Sequence, residues 1–187
     1  MTRAMIVAMW CVFSIDAVGC GKQDRTDYGL RSVGVTALET GGADMQSATG
    51  HVEFIGRQGA DNRYSFSAIK RVHPATGETI IQGEVQYQSH RPDGTVIDAH
   101  GTVICLEIEG NLARVGLVGD HARGLPEGTS PFAYFTVVDN GEGNDPPDLA
   151  SNLFIATEAV VLQHCESGHI PAPPLFPNLV GNIQVRP

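Results

Sequence analysis

The chain has 187 residues, of which 42% are hydrophobic, a length that allows one domain and hardly two. Its formal net charge is −9 and its densest basic spot is the pair Lys70-Arg71, which argues against a nucleic-acid partner because phosphate binding needs clustered lysine and arginine. The 22 glycines and 11 prolines separate short apolar runs rather than long periodic helices, and this favours an all-β domain.

Residues 1–20 have the layout of an export signal. A lone Arg3 precedes the apolar run Ala4 to Ile15, which is too short to cross a bilayer. The run closes on Ala17-Val18-Gly19-Cys20, which resembles the lipobox of bacterial lipoproteins, although Ala17 stands where leucine is usual. We therefore expect export to the periplasmic or extracellular face, with Cys20 as the candidate for lipid modification and membrane anchoring. An ordinary signal peptide fits the same residues.

Residues 21–48 are predicted to form a flexible tether. Glycines punctuate a polar stretch that has few aromatic side chains. In a lipid-anchored protein this stretch would hold the folded body off the membrane, and in a secreted protein it would be a disordered start. The sequence thus predicts a single β-barrel-like domain at residues 49–187.

From His51 onward, apolar and polar side chains alternate with the period of two that is typical of half-buried strands. The clearest run contains Val85 and Tyr87 on one face and Glu84 and Gln86 on the other. The predicted strands are His51–Ile55, Arg63–Val72, Thr79–Ser89, Thr95–Ile108, Leu112–Val118 and Phe132–Val138.

Tight turns join these runs. The hairpin turn Arg91-Pro92-Asp93-Gly94 ends in Asp-Gly, which supplies the positive φ angles that such turns need, and Gly110-Asn111 makes the next turn. Consecutive strands joined in this way pair as an antiparallel meander, which we expect to close into a small barrel. A two-sheet β-sandwich would also cover the apolar face.

Two local predictions concern the later strands. Gly101 in the run Thr95–Ile108 predicts a bulge or a bend, and the alternation places Val103 and Cys105 on the same face. The segment Ala150–Gln163 is interpreted as strand because it is rich in β-branched and aromatic residues, and no long amphipathic helix is expected.

Five segments stand out along the chain: GHVEF at 50–54, YSFSA at 64–68, HGTVICL at 100–106, VVDNGEG at 137–143 and GNIQV at 181–185. They resemble uncharacterised small exported, lipoprotein-like β-rich proteins of bacteria, and the resemblance covers most of residues 50–187. It implies a secreted β-rich domain and brings with it no activity and no catalytic residues.

Cys105 and Cys165 are the cysteines of the expected domain. In an oxidising compartment two thiols that meet form a disulfide, so we predict this pairing. Two buried free thiols are the alternative. A metal site of His164, Cys165 and His169 is a further alternative, but it lacks a fourth ligand at a recognised spacing.

The densest group of oxygen ligands contains Asp139, Glu142, Asp145 and Asp148. Loops of this kind hold hard cations such as calcium. The spacing differs from that of the helix–loop–helix calcium motif, and a solvated polar turn explains the same residues. No other cofactor is expected.

The sequence has neither a Gly-x-Ser-x-Gly elbow nor a phosphate-binding glycine loop in a strand-to-helix setting. We therefore expect a non-catalytic binding or structural module of the cell envelope, with a small ligand or an envelope protein as its partner. The alternative is a barrel enzyme, of isomerase or hydrolase type, with its site in the mouth. A deep cavity with two ionisable groups within hydrogen-bond reach would favour the enzyme, and a filled interior would favour the structural or interaction role.

Overall fold

The computed structural model describes residues 45–142, 146–167 and 174–187, all of which lie in the unit Glu39–Pro187. The predicted export signal, Cys20 and most of the predicted tether lie outside the described residues. The elements are β1 (Met45–Ile55), a 3-10 turn (Arg57–Gly59), β2 (Asp61–Val72), β3 (Thr79–His90), β4 (Val96–Glu109), β5 (Leu112–Arg123), β6 (Phe132–Val138), β7 (Leu149–Ser151), β8 (Phe154–Ile155), α1 (Glu158–Ser167), β9 (Leu175–Pro177) and β10 (Val180–Arg186).

These strands form one antiparallel sheet in the order β10-β1-β2-β3-β4-β5-β6-β7-β9, with β8 paired to β6. The sheet curls into an open half-barrel. The prediction of an all-β antiparallel meander is therefore confirmed, and the sandwich alternative is not the fold adopted. The barrel stays open because β9 and β10, the two ends of the strand order, do not pair with each other.

The inside of the curl is filled by side chains from the alternating inward positions. An aromatic cluster forms its centre, with the Tyr64 ring centroid 5.0 Å from that of Phe135 and the Phe66 centroid 5.3 Å from the same ring. Val85 and Tyr87 are buried beside them, as their alternation predicts. Close packing of this kind supplies most of the stabilisation of a small domain.

Residues 45–48, which the sequence assigns to the tether, belong to β1. Ala48 is fully buried opposite Ala68 of β2, and the neighbouring β10 closes the other side of β1. All four residues pair with β2, and Ser47 and Ala48 pair with β10 as well.

The prediction of strand for the segment Ala150–Gln163 is wrong for its second half, which is helical. Short strands β7 and β8 are followed by helix α1, which begins at Glu158. Its buried residues Val161, His164 and Cys165 have the spacing of one helical face. The helix packs on the outer side of the curl with Tyr134, in a second cluster separate from the main core.

Two bulges shift the register between β4 and β5. The first, between His100 and Gly101, confirms the predicted irregularity. The second, between Val103 and Cys105, corrects the predicted common face, because Val103 packs in the main core and Cys105 in the cluster under α1.

Cys105 and Cys165 lie at disulfide distance, as predicted, with their sulfur atoms 2.03 Å apart and their Cα atoms 6.1 Å apart. The bond joins β4 to α1. Gly116 of β5 lies opposite Cys105, and a Cβ atom at this position would overlap the Cys105 sulfur and a methyl group of Val161. A glycine is therefore needed for the close approach of the helix to the sheet.

Candidate functional site

One end of the half-barrel carries the β3–β4 hairpin and the loop between β5 and β6. A cavity of about 430 Å³ lies at this end, and we call it the mouth cavity. Its apolar walls come from strands and loops that are distant in sequence: Tyr87, Ile97, Ala99, Leu117, Leu125, Pro126, Ala133, Leu153 and Ile155.

Tyr87 lies at the inner boundary of the mouth cavity. Its hydroxyl donates a 2.7 Å hydrogen bond to Oδ1 of Asn62, whose Nδ2 donates to the carbonyl oxygen of Ala60 at 3.1 Å. Burial raises the pKa of Tyr87 above its usual value. The phenol is therefore protonated at neutral pH and stays a hydrogen-bond donor.

A second cavity, of about 400 Å³, adjoins the first, and we call it the polar cavity. The two cavities share Tyr87, Arg91 and Leu153. Its other lining residues are largely polar: Arg57, Gln58, Ala60, Asn62, Ser89, Pro92, Asp93 and Asn152.

A histidine between two carboxylates lies at the edge of the mouth cavity. Nδ1 of His100 is 3.2 Å from Oδ2 of Asp120, and its Nε2 is 3.8 Å from Oε2 of Glu84. The same Asp120 oxygen accepts a 3.1 Å hydrogen bond from the hydroxyl of Thr102. The side chains of His100 and Asp120 are 37% and 49% exposed, so water surrounds this pair and it is not a deep catalytic dyad.

The carboxylates predicted as calcium ligands bind backbone N–H groups. Oδ1 and Oδ2 of Asp148 accept from Asn140 at 2.9 Å and Ile183 at 2.8 Å. Oδ2 of Asp139 accepts from Val185 at 2.9 Å.

These bonds use N–H groups on the edge of β10 that does not pair with another strand. The two aspartates therefore connect the β6–β7 side of the curl to β10. We call Asp139 and Asp148 the carboxylate latch. Glu142 is exposed, and Asp145 lies outside the described residues. Within the described ranges, no three histidine, cysteine or acidic side chains converge on a metal position.

Two residues of the alternative metal site, His164 and Cys165, make other contacts in the structure. Cys165 is bonded to Cys105, and His169 lies outside the described residues. His164 is 2% exposed, its Nε2 is 3.2 Å from the hydroxyl oxygen of Thr136, and its ring centroid is 4.3 Å from that of Tyr134. The arrangement is a buried neutral histidine that packs α1 onto the sheet.

Burial lowers the pKa of His164 below its usual value, and the charge of Arg114 acts in the same direction. The unfolded chain therefore binds a proton at higher pH than the folded chain, so stability is lost as pH falls below about 6.5, the value of a free histidine. We expect the unfolding midpoint to fall on acidification in the native protein, and to fall less in H164Q.

Urea unfolding at several pH values gives the slope of the unfolding midpoint against pH for each protein. A uniform destabilisation by H164Q lowers the midpoint at every pH and leaves this slope unchanged. The matched control is H90Q, which changes an exposed histidine and keeps the native slope. Equal slopes in H164Q and the native protein would contradict the assignment.

Sequence reasoning did not identify the mouth cavity. The alternation predicts that Tyr87 lies on the apolar face, but it interprets Arg91 only as part of a turn and makes no prediction for Leu125. Their convergence depends on the curvature of the sheet, which brings the β3–β4 hairpin beside the β5–β6 loop. No signal within either segment marks it.

Among the described residues, no helix has the length and apolar character that a membrane span requires. The chain matches no protein-family model, no curated protein and no solved structure.

Proposed function

We propose that this protein is an exported, non-catalytic binding module whose mouth cavity holds a small, largely apolar ligand. The observation that carries the proposal is the cavity of about 430 Å³ at one end of the half-barrel, whose lining combines a set of apolar side chains with charged and polar ones. Sites for small molecules are concave, mostly apolar and of this size, with a few polar groups that fix orientation.

The walls of the cavity favour binding over catalysis. Ile97, Leu117 and Leu125 surround an apolar ligand and remove its surface from water, which favours binding by about 25 cal/mol per Å² of surface buried. The enzyme alternative has one observation in its favour, the contact between His100 and Asp120. Because both side chains are more than a third exposed, they lack the enclosed, water-excluding surroundings of a buried acid–base site.

Export is part of the same proposal. It rests on the layout of residues 1–20, with Cys20 as the point of lipid anchoring. The bond between Cys105 and Cys165 supports an oxidising compartment, because disulfides persist there and are rare in the cytosol. The binding module would then act on the outer side of the membrane or within the envelope.

The binding proposal is tested with the uncharged fluorescent probe N-phenyl-1-naphthylamine. Ala99 lines the mouth cavity, and a phenylalanine there would occupy the space that the probe needs. We expect the native protein to bind the probe and A99F to bind it at least about tenfold more weakly, a loss of about 1.4 kcal/mol. Fluorescence titration of the full chain measures both affinities.

The matched control is A75F, which makes the same change in an exposed turn at the other end of the half-barrel and keeps the native affinity. A second variant, L125D, places a charge in the cavity wall, and it also weakens binding. Equal affinity in all four proteins, or no binding by the native protein, would reject the mouth cavity as the site.

A further inference from the structure

We infer that the ligand is an amphiphile with an anionic headgroup, whose apolar part fills the mouth cavity and whose headgroup enters the polar cavity between Arg57 and Arg91. This inference rests on the proposed function and names the chemistry of its ligand.

The first argument is that two cavities of different character lie side by side. The mouth cavity is the more apolar of the two, whereas the polar cavity of about 400 Å³ is lined mainly by amide, hydroxyl and charged groups. Tyr87, Arg91 and Leu153 line both cavities, so one molecule that crosses this boundary contacts both surfaces. A molecule that fits both surfaces has an apolar part joined to a polar end.

The second argument is the charge of the polar cavity. Arg57 and Arg91 both line it, and no ion pair within the described residues uses either guanidinium group. The carboxylate among the lining residues is Asp93, whose Oδ1 accepts a 2.8 Å hydrogen bond from the backbone N–H of Thr95. Hydrogen bonds with Thr95 lower the pKa of Asp93 and the charge of Arg91 acts in the same direction, so this carboxylate offsets part of the charge of Arg91.

Two arginines against one carboxylate leave a positive excess in this cavity, in a chain whose formal net charge is −9. Guanidinium groups bind carboxylates and phosphates through paired hydrogen bonds, so an anionic headgroup is the complementary ligand. At the edge of the mouth cavity, Glu127 and Asp120 carry the opposite charge and oppose placement of the headgroup there.

The third argument is the conformation of the turn that carries Arg57. Gln58 has φ 59° and ψ 21°, the left-handed conformation that a residue other than glycine rarely adopts. Such a conformation is strained for a residue with a Cβ atom, and strained backbone is concentrated at functional sites. Here it shapes the wall of the polar cavity beside Arg57.

The test compares ligands that share one alkyl tail and differ in headgroup: dodecanoate, dodecan-1-ol and dodecylamine. Each displaces N-phenyl-1-naphthylamine from the full chain, below its micelle concentration and at mildly alkaline pH. We expect dodecanoate to bind about tenfold more tightly than the alcohol, because hydrogen bonds between a guanidinium group and a carboxylate are stronger than those to an uncharged hydroxyl. The amine binds no more tightly than the alcohol.

The variants R57Q and R91Q reduce the preference for dodecanoate over the alcohol to less than about threefold, and R57Q, whose arginine does not line the mouth cavity, keeps the affinity for the alcohol within about twofold of the native value. The matched control R71Q removes an exposed arginine at the opposite end of the half-barrel and keeps the full preference. Raising the salt concentration weakens dodecanoate binding and leaves the alcohol unaffected.

The outcomes separate this inference from the proposed function. If the probe and the alcohol bind but dodecanoate shows no preference, or if the amine is preferred, the headgroup inference is overturned and the apolar site stands. If R71Q removes the preference as strongly as R57Q and R91Q do, the preference reflects overall charge and the inference is overturned. If neither the probe nor the alcohol binds the native protein, the proposed function and this inference are both rejected.

Discussion

Removing the bond between Cys105 and Cys165 by the double change C105A/C165A is expected to lower the free energy of unfolding by about 4 kcal/mol. The bond spans a sequence separation of 60 residues, and a cross-link over so long a loop strongly restricts the unfolded chain. It also fastens α1 to β4, where the buried contacts of the helix are few. Urea unfolding of the oxidised native chain and of the variant measures the difference.

The control for this prediction is the reductant dithiothreitol. It lowers the stability of the native protein toward that of the variant and does not change the variant itself. A difference below about 1 kcal/mol between the two oxidised proteins would contradict the structural role of the bond. Recovery of the protein from its native compartment with both thiols free would contradict the proposed export.

Replacing Asp148 by asparagine is expected to lower the free energy of unfolding by about 3 kcal/mol. Asp148 is 4% exposed, and its two oxygens accept backbone N–H groups from Asn140 and Ile183. An amide presents an NH₂ group where one of these oxygens lies, so a buried N–H group loses its acceptor and the charge-assisted bonds are weakened.

Thermal and urea unfolding measure this loss, and the matched control is E142Q. Glu142 is exposed in the same turn, so its change removes a charge of the same sign without removing an interstrand bond. We expect E142Q to stay within about 0.5 kcal/mol of the native protein. A D148N protein as stable as E142Q would show that the carboxylate latch does not hold β10.

The latch explains how this half-barrel keeps its shape without complete strand pairing. An unpaired edge exposes N–H groups that invite pairing with another chain. On β10, the N–H groups of Ile183 and Val185 bind the carboxylates of Asp148 and Asp139 instead. These bonds lie at the end of the curl opposite the β3–β4 hairpin, and the mouth cavity lies at the hairpin end.

The alternation of apolar and polar residues predicted the strands because one face of the sheet is buried and the other is exposed to solvent. Val85 and Tyr87 face the core while Glu84 and Gln86 face solvent, and this pattern is visible without any knowledge of neighbouring strands. The bulge at Gly101 was also predictable, since glycine in a strand marks such positions.

The errors have a physical origin in tertiary contacts. The valines Val160 and Val161 favour strand locally, but the segment is helical because Val161, His164 and Cys165 bury one helical face on the sheet. Cys105 changed faces because a second bulge follows Val103, and no glycine marks it. The backbone contacts of Asp139 and Asp148 were not predictable either, because a carboxylate that binds backbone N–H groups has the same sequence signature as a cation ligand.

The candidate site could not be predicted from the sequence for a related reason. Three separate turns and loops carry Arg57, Arg91 and Leu125, and the local sequence of each is typical of a solvent-exposed segment. Only the curvature of the sheet and the register of its strands place them around one pair of cavities. Local composition therefore predicts the scaffold, whereas the site is a property of the folded sheet.

The central claim is that the mouth cavity is the ligand site, and methyl NMR spectroscopy of the full chain tests it most directly. On titration with dodecanoate, we expect the largest shifts at Ile97, Ala99 and Leu125, which line the cavity. The largest shifts at Leu179 and Val180, which are 63% and 56% exposed at the start of β10, would instead indicate adsorption to the outer surface and would contradict the claim.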